Sequence, residues 1–151
     1  MRRDSRLSDV LHVLLHMADH SGPMTSESLS RMMSSNPVVV RRVLGGLRNQ
    51  GLVQTSKGRR GGWELACDIK QVTLLDIYKA VGSPALFAIG SRKQESTCLV
   101  ERAVNQALMQ STRDAEALLL DRFGAITLSQ LHHDFHRDMA ALKESLGSVS
   151  V

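Results

Sequence analysis

The chain has 151 residues, 42% hydrophobic and only 3% aromatic, which predicts one domain with an aliphatic core, alone or with an appendage. No apolar run approaches the roughly 20 residues of a membrane-spanning helix, and no apolar signal segment follows the amino-terminal residues, so a cytoplasmic protein without a membrane partner is expected. The net charge of +4 is uneven, because residues 1–65 carry +5 and residues 66–151 carry −1. This asymmetry favours a front half that binds a polyanion.

The front half contains three helical patterns, over residues 5–19, 26–33 and 37–49. Ser21-Gly22-Pro23 ends the first, and Thr25 has the side chain of an N-cap for the second. After a turn, Asn36 is the predicted N-cap of the third helix, with Pro37 at its first position, where a missing N–H costs nothing. The pattern is that of a helix-turn-helix.

A β-hairpin is predicted next, with strands over residues 52–55 and 63–66 and a loop over residues 56–62. Gly58 and Gly61 let this loop bring its backbone close to a phosphate. An ordinary solvated hairpin loop is the alternative. The stretch 36–63 holds no acidic residue and six basic ones: Arg41, Arg42, Arg48, Lys57, Arg59 and Arg60. Helix, turn, helix and cationic hairpin together predict a winged helix-turn-helix that binds double-stranded DNA.

The contact residues can be divided by chemistry. Arg41 and Arg42 are the expected base readers, because an arginine can bond a guanine edge in two places. The cationic wing is expected to contact phosphates or the narrow minor groove. The full predicted set is Ser35, Asn36, Val38, Arg41, Arg42, Arg48, Lys57, Arg59, Arg60 and Gly61.

The back half is predicted to be helical. Thr73-Leu74-Leu75-Asp76 opens a short helix, and a long pattern runs from Cys98 to about Asp121, with apolar residues three or four apart. This narrow seam suits a dimerisation helix, although a long core helix in a monomer is the alternative. Gly124 is predicted to break it, and Thr127 to cap a last helix. The predicted organisation is a winged helix-turn-helix domain over 1–82, a loop over 83–97, dimerisation and C-terminal helices over 98–146, and a tail over 147–151. The fold class is mainly α with a small β-hairpin wing.

The histidines are ambiguous. His12, His16 and His20 lie along one side of the first helix, but they spread over about 12 Å, too far for one ion. His132 and His136 have a spacing that can bind a metal, yet the sequence shows no third ligand nearby. Solvated histidines are the simpler interpretation, so no metal site is predicted.

In combination these motifs resemble the Rrf2 family of bacterial transcriptional regulators, over nearly the whole chain. The resemblance rests on the first helix, residues 36–42, 47–48, 51–53, 58–63 and 73–78, and the long helix. It implies a homodimer, expected to be a repressor, that meets a roughly two-fold-symmetric operator. The recognition helices would enter successive major grooves, and the wings would lie at the flanking minor grooves.

Some members of that family hold a [2Fe–2S] or [4Fe–4S] cluster, largely through three cysteines at the start of the long helix. Here only Cys98 is present, with no second cysteine within 30 residues, so the chain resembles a cluster-less branch and no cofactor is predicted. A helix N-terminus lowers a thiol pKa, which makes Cys98 a candidate redox or electrophile switch; a small buried hydrophobe is the alternative. Cys67 is interpreted as a core residue.

The resulting prediction is a homodimeric Rrf2-type regulator that responds through Cys98. The alternatives are a metal- or ligand-responsive regulator that uses its histidines, and a DNA-binding protein without a sensor. An enzyme is not predicted, because the sequence contains no glycine-rich phosphate loop, no nucleophile-His-acid arrangement and no His-Glu-x-x-His motif.

Overall fold

Six helices and one antiparallel hairpin follow one another over residues 4–89 and 97–147, the part of the chain that this computed structural model describes. The elements are α1 Arg6–Asp19, α2 Ser26–Met32, α3 Pro37–Asn49, β1 Val53–Ser56, β2 Gly62–Leu65, α4 Leu74–Ala80, α5 Leu99–Ala125 and α6 Leu128–Gly147. The predicted fold class, mainly α with a small β-hairpin wing, is confirmed.

The predicted helix starts are confirmed by their capping bonds. The Thr25 hydroxyl accepts the Ser28 N–H at 3.1 Å, and the Asn36 side-chain oxygen accepts two backbone N–H groups at the start of α3. Thr73 and Asp76 form a reciprocal capping box at the start of α4. These caps join residues two or three positions apart, which explains why the sequence pattern located them.

One aliphatic core holds the front half together. α1 contributes Val10, Val13 and Leu14, and α3 contributes Val40, Leu44 and Leu47, all with at most 1% of their surface exposed. Leu128, the first residue of α6, joins this core and is also 1% exposed. The backbone of residues 126–129 binds the segment before α4, with Leu74 N–H donating to Ile126 O and Leu128 N–H donating to Val72 O, both at 2.9 Å. The start of α6 is therefore attached to the winged-helix module.

The end of the long helix and the strand boundaries differ from prediction. Gly124 does not break the long helix, which continues to Ala125. A Cβ at Gly124 would lie 3.5 Å from Leu75 Cδ2, an ordinary contact, so this position faces α4 inside a continuous helix. β1 begins one residue later than predicted, because the Leu52 N–H bonds to Leu47 O and completes the end of α3. β2 lies one residue earlier than predicted, over Gly62–Leu65. Residues 90–96 of the predicted loop and 148–151 of the predicted tail lie outside the described residues.

The back half leaves apolar surface uncovered in a single chain. α5 is 27 residues long, yet none of its residues is buried. Its exposed apolar side chains are Leu99, Val100, Val104, Leu108, Met109 and Leu118, and those of α6 are Phe135, Met139, Leu142 and Leu146. No helix within the described residues has the length and apolar character needed to cross a bilayer.

Candidate nucleic-acid interface

The first residues of α3 are held by a side-chain cap and are exposed to solvent. Asn36 Oδ1 accepts the N–H groups of Val38 and Val39, both at 3.0 Å, so this side chain has a structural role as the N-cap. Ser35 lies in the preceding turn and donates its N–H to Ser30 O at 3.0 Å. Val38 is 68% exposed although it is apolar. An apolar side chain held in solvent at the start of such a helix is able to contact a thymine methyl group.

The exposed arginines of α3 lie on two flanks of the helix. Arg48 stands over the Trp63 ring, with Cζ 5.9 Å from the ring centroid, so it faces the hairpin. Arg41 lies on the same flank, because seven residues make almost two turns. Arg42 lies on the other flank, beside a cavity of about 480 Å³ that Arg6 also lines. The predicted base readers therefore flank the exposed face from both sides.

The hairpin is anchored at its base. Trp63 is buried, and its backbone exchanges two hydrogen bonds with Met24, both of 2.8 Å. Its indole N–H donates to Ser26 Oγ at 3.1 Å. A Cβ at Gly62 would lie 2.5 Å from Met24 O, so only glycine allows this approach. The pairing of β1 with β2 thus holds the wing at a defined position beside α3.

The wing tip comprises residues 57–61, and its glycines serve the turn. Gly58 has a φ of +105°. A Cβ at Gly61 would lie 2.4 Å from Ser56 O, and the Gly61 N–H donates to Gly58 O at 3.0 Å. The geometry of the turn is enough to explain why residue 61 is a glycine. The predicted contact between Gly61 and a DNA phosphate stays a prediction. Lys57, Arg59 and Arg60 all project as exposed side chains from this turn.

Within the described residues, no ion pair neutralises the positive charge of this surface. Across residues 4–89 and 97–147, the ion pairs involve other cations, such as Arg6 with Asp4 and Arg137 with Asp134. None joins an acidic side chain to the six basic residues of the stretch 36–63. A surface with several unpaired cations is suited to attract phosphates.

Cys98 is the N-cap of α5 and is exposed. Hydrogen bonds from the backbone of Glu101 and Val100 lower the pKa of its thiol below the ordinary value. Cys67 is half-buried against the core, and burial raises its pKa. The two thiols therefore differ in access and in thiolate content.

The histidines form two close pairs, and one of them has a partner that the sequence did not reveal. The Nε2 atoms of His12 and His16 lie 2.9 Å apart on α1. His132 and His136 both contact Asp19, which stands 113 and 117 residues away in the chain. Local spacing identified the histidine pair, but only the packing of α6 on α1 brings the carboxylate to it.

A helix-turn-helix with an anchored cationic hairpin, followed by a long helix, defines the chain as a winged-helix protein of the transcription-factor type. The model of the Rrf2 family, described as "Iron-dependent Transcriptional regulator", matches residues 3–134. The chain belongs to the Rrf2 family, and it is a transcriptional regulator, not an enzyme.

Named relatives agree with this assignment. The chain is 26% identical to YwnA of Bacillus subtilis (strain 168), a candidate HTH-type transcriptional regulator, over 85% of this chain and 95% of YwnA. A candidate transcriptional regulator of Lactobacillus plantarum has a similar fold, with a TM-score of 0.72 at 20% identity over 95% of this chain and 98% of that one. CymR (YrzC), the global cysteine regulator of B. subtilis, has a TM-score of 0.58 at 21% identity over 88% and 97% of the two chains.

Proposed function

We propose that the protein is a homodimeric repressor that binds a palindromic operator, with α3 in the major groove and the wing at the flanking minor groove. The observation that carries this proposal is the surface formed by α3 and the wing, where six basic side chains have no acidic partner among the described residues. The exposed Val38 and the anchored hairpin give this surface a fixed shape. A helix of this diameter fits the major groove.

The proposed roles follow from position. Arg41 and Arg42 flank the exposed face of α3 and are proposed to read bases. Arg48 is held against Trp63, so we assign it to the backbone beside the wing. Lys57, Arg59 and Arg60 are proposed to contact phosphates or the minor groove, where they add affinity that falls with salt concentration.

A gel-shift titration on the promoter of the protein's own gene tests this proposal. Arg41→Ala should cost about 1–3 kcal/mol of binding free energy and relax the preference at one base pair. Arg59→Ala should weaken all sequences alike and reduce the salt slope by about one. The absence of any retardation at low salt, with correctly folded protein, would refute DNA binding at this promoter.

The dimer is proposed to form through α5. Val100, Val104 and Leu118 lie on one side of this helix and are 72%, 51% and 67% exposed, which is unfavourable unless another surface covers them. The opposite side faces α4, since the Phe123 and Tyr78 rings lie 6.0 Å apart. A second copy of the same helix would supply a matching seam, and two-fold pairing is the commonest way for identical chains to associate.

The dimer is tested by light scattering after size-exclusion chromatography. Val104→Glu places a charge in the proposed seam and should shift the protein to monomer, with a large loss of operator affinity. Met109→Glu is the matched control, because Met109 is similarly exposed (48%) but lies about 140° around the helix from Val104. A dimer that survives Val104→Glu and dissociates in Met109→Glu would place the interface elsewhere.

Cys98 is proposed as the sensor. It lies at the first turn of α5, next to the exposed Leu99 and Val100, so a modified thiol would alter the edge of the proposed dimer seam. The test compares operator affinity with and without diamide or an electrophile, for the wild type and Cys98→Ser. The wild type should release DNA and the variant should retain it. Equal release by both proteins would eliminate the switch.

A further inference from the structure

Three metal-ligand side chains converge where the end of α1 meets the first half of α6. The Nε2 atoms of His132 and His136 lie 2.6 and 2.9 Å from Asp19 Oδ1. They lie 3.2 Å from each other. The two histidines are one helical turn apart, so they point to the same side of α6, and α1 supplies the carboxylate from the facing side. One ligand atom from each of the three residues lies within 4.8 Å of the others.

We propose that Asp19, His132 and His136 bind a divalent transition-metal ion, with Zn²⁺ as the fitting occupant. Two imidazole nitrogens and one carboxylate oxygen are a donor set suited to zinc, whereas Mg²⁺ and Ca²⁺ require a shell of oxygens. Three protein ligands leave a fourth position for water or another small ligand. This site goes beyond DNA binding and does not depend on it.

The distances fit a tetrahedral ion after a small adjustment. Bonds of about 2.0–2.1 Å place tetrahedral ligand atoms about 3.3 Å apart. The two Nε2 atoms already have this separation, at 3.2 Å. Asp19 Oδ1, at 2.6 and 2.9 Å, must withdraw by roughly 0.4–0.7 Å to make room for bonds of that length. A side-chain rotation is enough, since the Asp19 side chain is 34% exposed.

The surroundings of the cluster allow an ion to enter. Asp19 and Phe135 line a cavity of about 300 Å³ beside the cluster. His12 and His16 lie on the same cavity, so a second pair of nitrogen donors stands near the entry path.

An ion at this position would join α6 to the end of α1. α6 is attached to the core by Leu128, one turn before His132. A bond from His132 and His136 to Asp19 would fix the next two turns of α6 against α1. It would thereby set the direction of the exposed apolar side chains farther along this helix, Met139, Leu142 and Leu146.

The test is calorimetric titration of ZnCl₂ into the untagged full-length protein after removal of metal with a chelator. We expect one ion per chain and a rise in melting temperature. Asp19→Asn and His136→Gln should each weaken the affinity by at least about 100-fold, because even outer-shell changes cost 10- to 100-fold. His133→Gln and His20→Gln are matched controls and should leave it unchanged. Circular dichroism checks that every variant is folded, as the exposure of these side chains leads us to expect.

The thiols and the second histidine pair are tested separately, because both can bind zinc. Co²⁺ bound to the wild type should show no thiolate charge-transfer absorption, and Cys98→Ser should keep the Zn²⁺ affinity. Any one of three results overturns the proposal. The first is full Zn²⁺ affinity in both Asp19→Asn and His136→Gln, and the second is loss of Zn²⁺ affinity in Cys98→Ser. The third is loss of Zn²⁺ affinity in His12→Gln while Asp19→Asn is unaffected.

Discussion

The substitution Gly45→Ala adds one methyl group and is expected to raise the stability of the fold while lowering its affinity for DNA. It lies inside α3 without a positive φ, and a Cβ at this position would meet no atom within 4 Å. Helix propensity alone therefore favours alanine here. Gly45 also lies two turns after Val38, on the side of α3 that is proposed to enter the major groove. A glycine at this point is explained if DNA, absent from the free chain, occupies the space of the missing side chain.

The expected effects of Gly45→Ala on stability and on operator affinity can be estimated separately. Gly45→Ala should stabilise the folded protein by about 0.5–1 kcal/mol, because alanine loses less conformational entropy in a helix. For a chain of this length, that gain corresponds to a rise of about 1–4 °C in melting temperature. The same methyl group forced into a close contact with DNA should cost about 1–3 kcal/mol. This cost is a factor of about 5 to 150 in Kd for the operator.

Gly46→Ala is the matched control. Its Cβ would lie 3.4 Å from Ala80 O, an ordinary contact with α4, so its methyl group points toward the protein. We expect little change in operator affinity. Calorimetric melting at equal protein concentration and gel-shift titration measure both variants. Wild-type operator affinity in Gly45→Ala, or a loss of affinity in Gly46→Ala instead, would show that DNA does not approach α3 closely at Gly45.

Three further outcomes are expected. Thr73→Ala removes the capping box of α4 and should cost about 1 kcal/mol of unfolding free energy, while Thr73→Ser should retain it; equal stability of the two variants would show that the cap contributes nothing. Leu128→Ala should cost about 2–5 kcal/mol in urea denaturation, since Leu128 is 1% exposed within the core; a smaller cost would mean that α6 is only loosely attached. Iodoacetamide near pH 7 should modify Cys98 before Cys67, because the pKa of Cys98 is lowered and that of Cys67 is raised; mass spectrometry after brief exposure decides, and preferential modification of Cys67 would contradict this.

Much of the fold could be predicted because its signals are local. Thr25, Asn36 and Thr73 each accept backbone N–H groups two or three positions ahead, so the helix starts follow from short stretches of sequence. The stop after α3 is equally local, since Gly51 takes a φ of +73°. Helical spacing of apolar residues then identified the core sides of α1 and α3.

The remaining features depend on contacts between distant parts of the chain. Gly124 was predicted to end the long helix because of its residue type, but α5 continues through it to Ala125 and places it next to Leu75 of α4. Gly62 and Trp63 match a cationic wing by pattern, whereas their actual constraint is the backbone of Met24. Asp19 gives no sign of its partners in sequence, because α6 approaches α1 only in the folded chain. Periodicity cannot supply contacts of this kind.

The proposed sites differ in the same way: one is formed by neighbouring residues in the sequence and the other by distant ones. The proposed DNA-binding surface comes from one continuous stretch, residues 36–63, and its helix, turn and hairpin could be predicted because they are neighbours in sequence. The proposed metal cluster joins the end of α1 to α6, and α1 also supplies part of the core beneath α3. α1 is thus the element through which an ion at Asp19 could influence α3 without touching DNA. Cys98 lies instead on α5, at the proposed dimer seam. A metal effect and a thiol effect would therefore reach DNA by different routes, and Cys98→Ser and His136→Gln should each abolish only one of them.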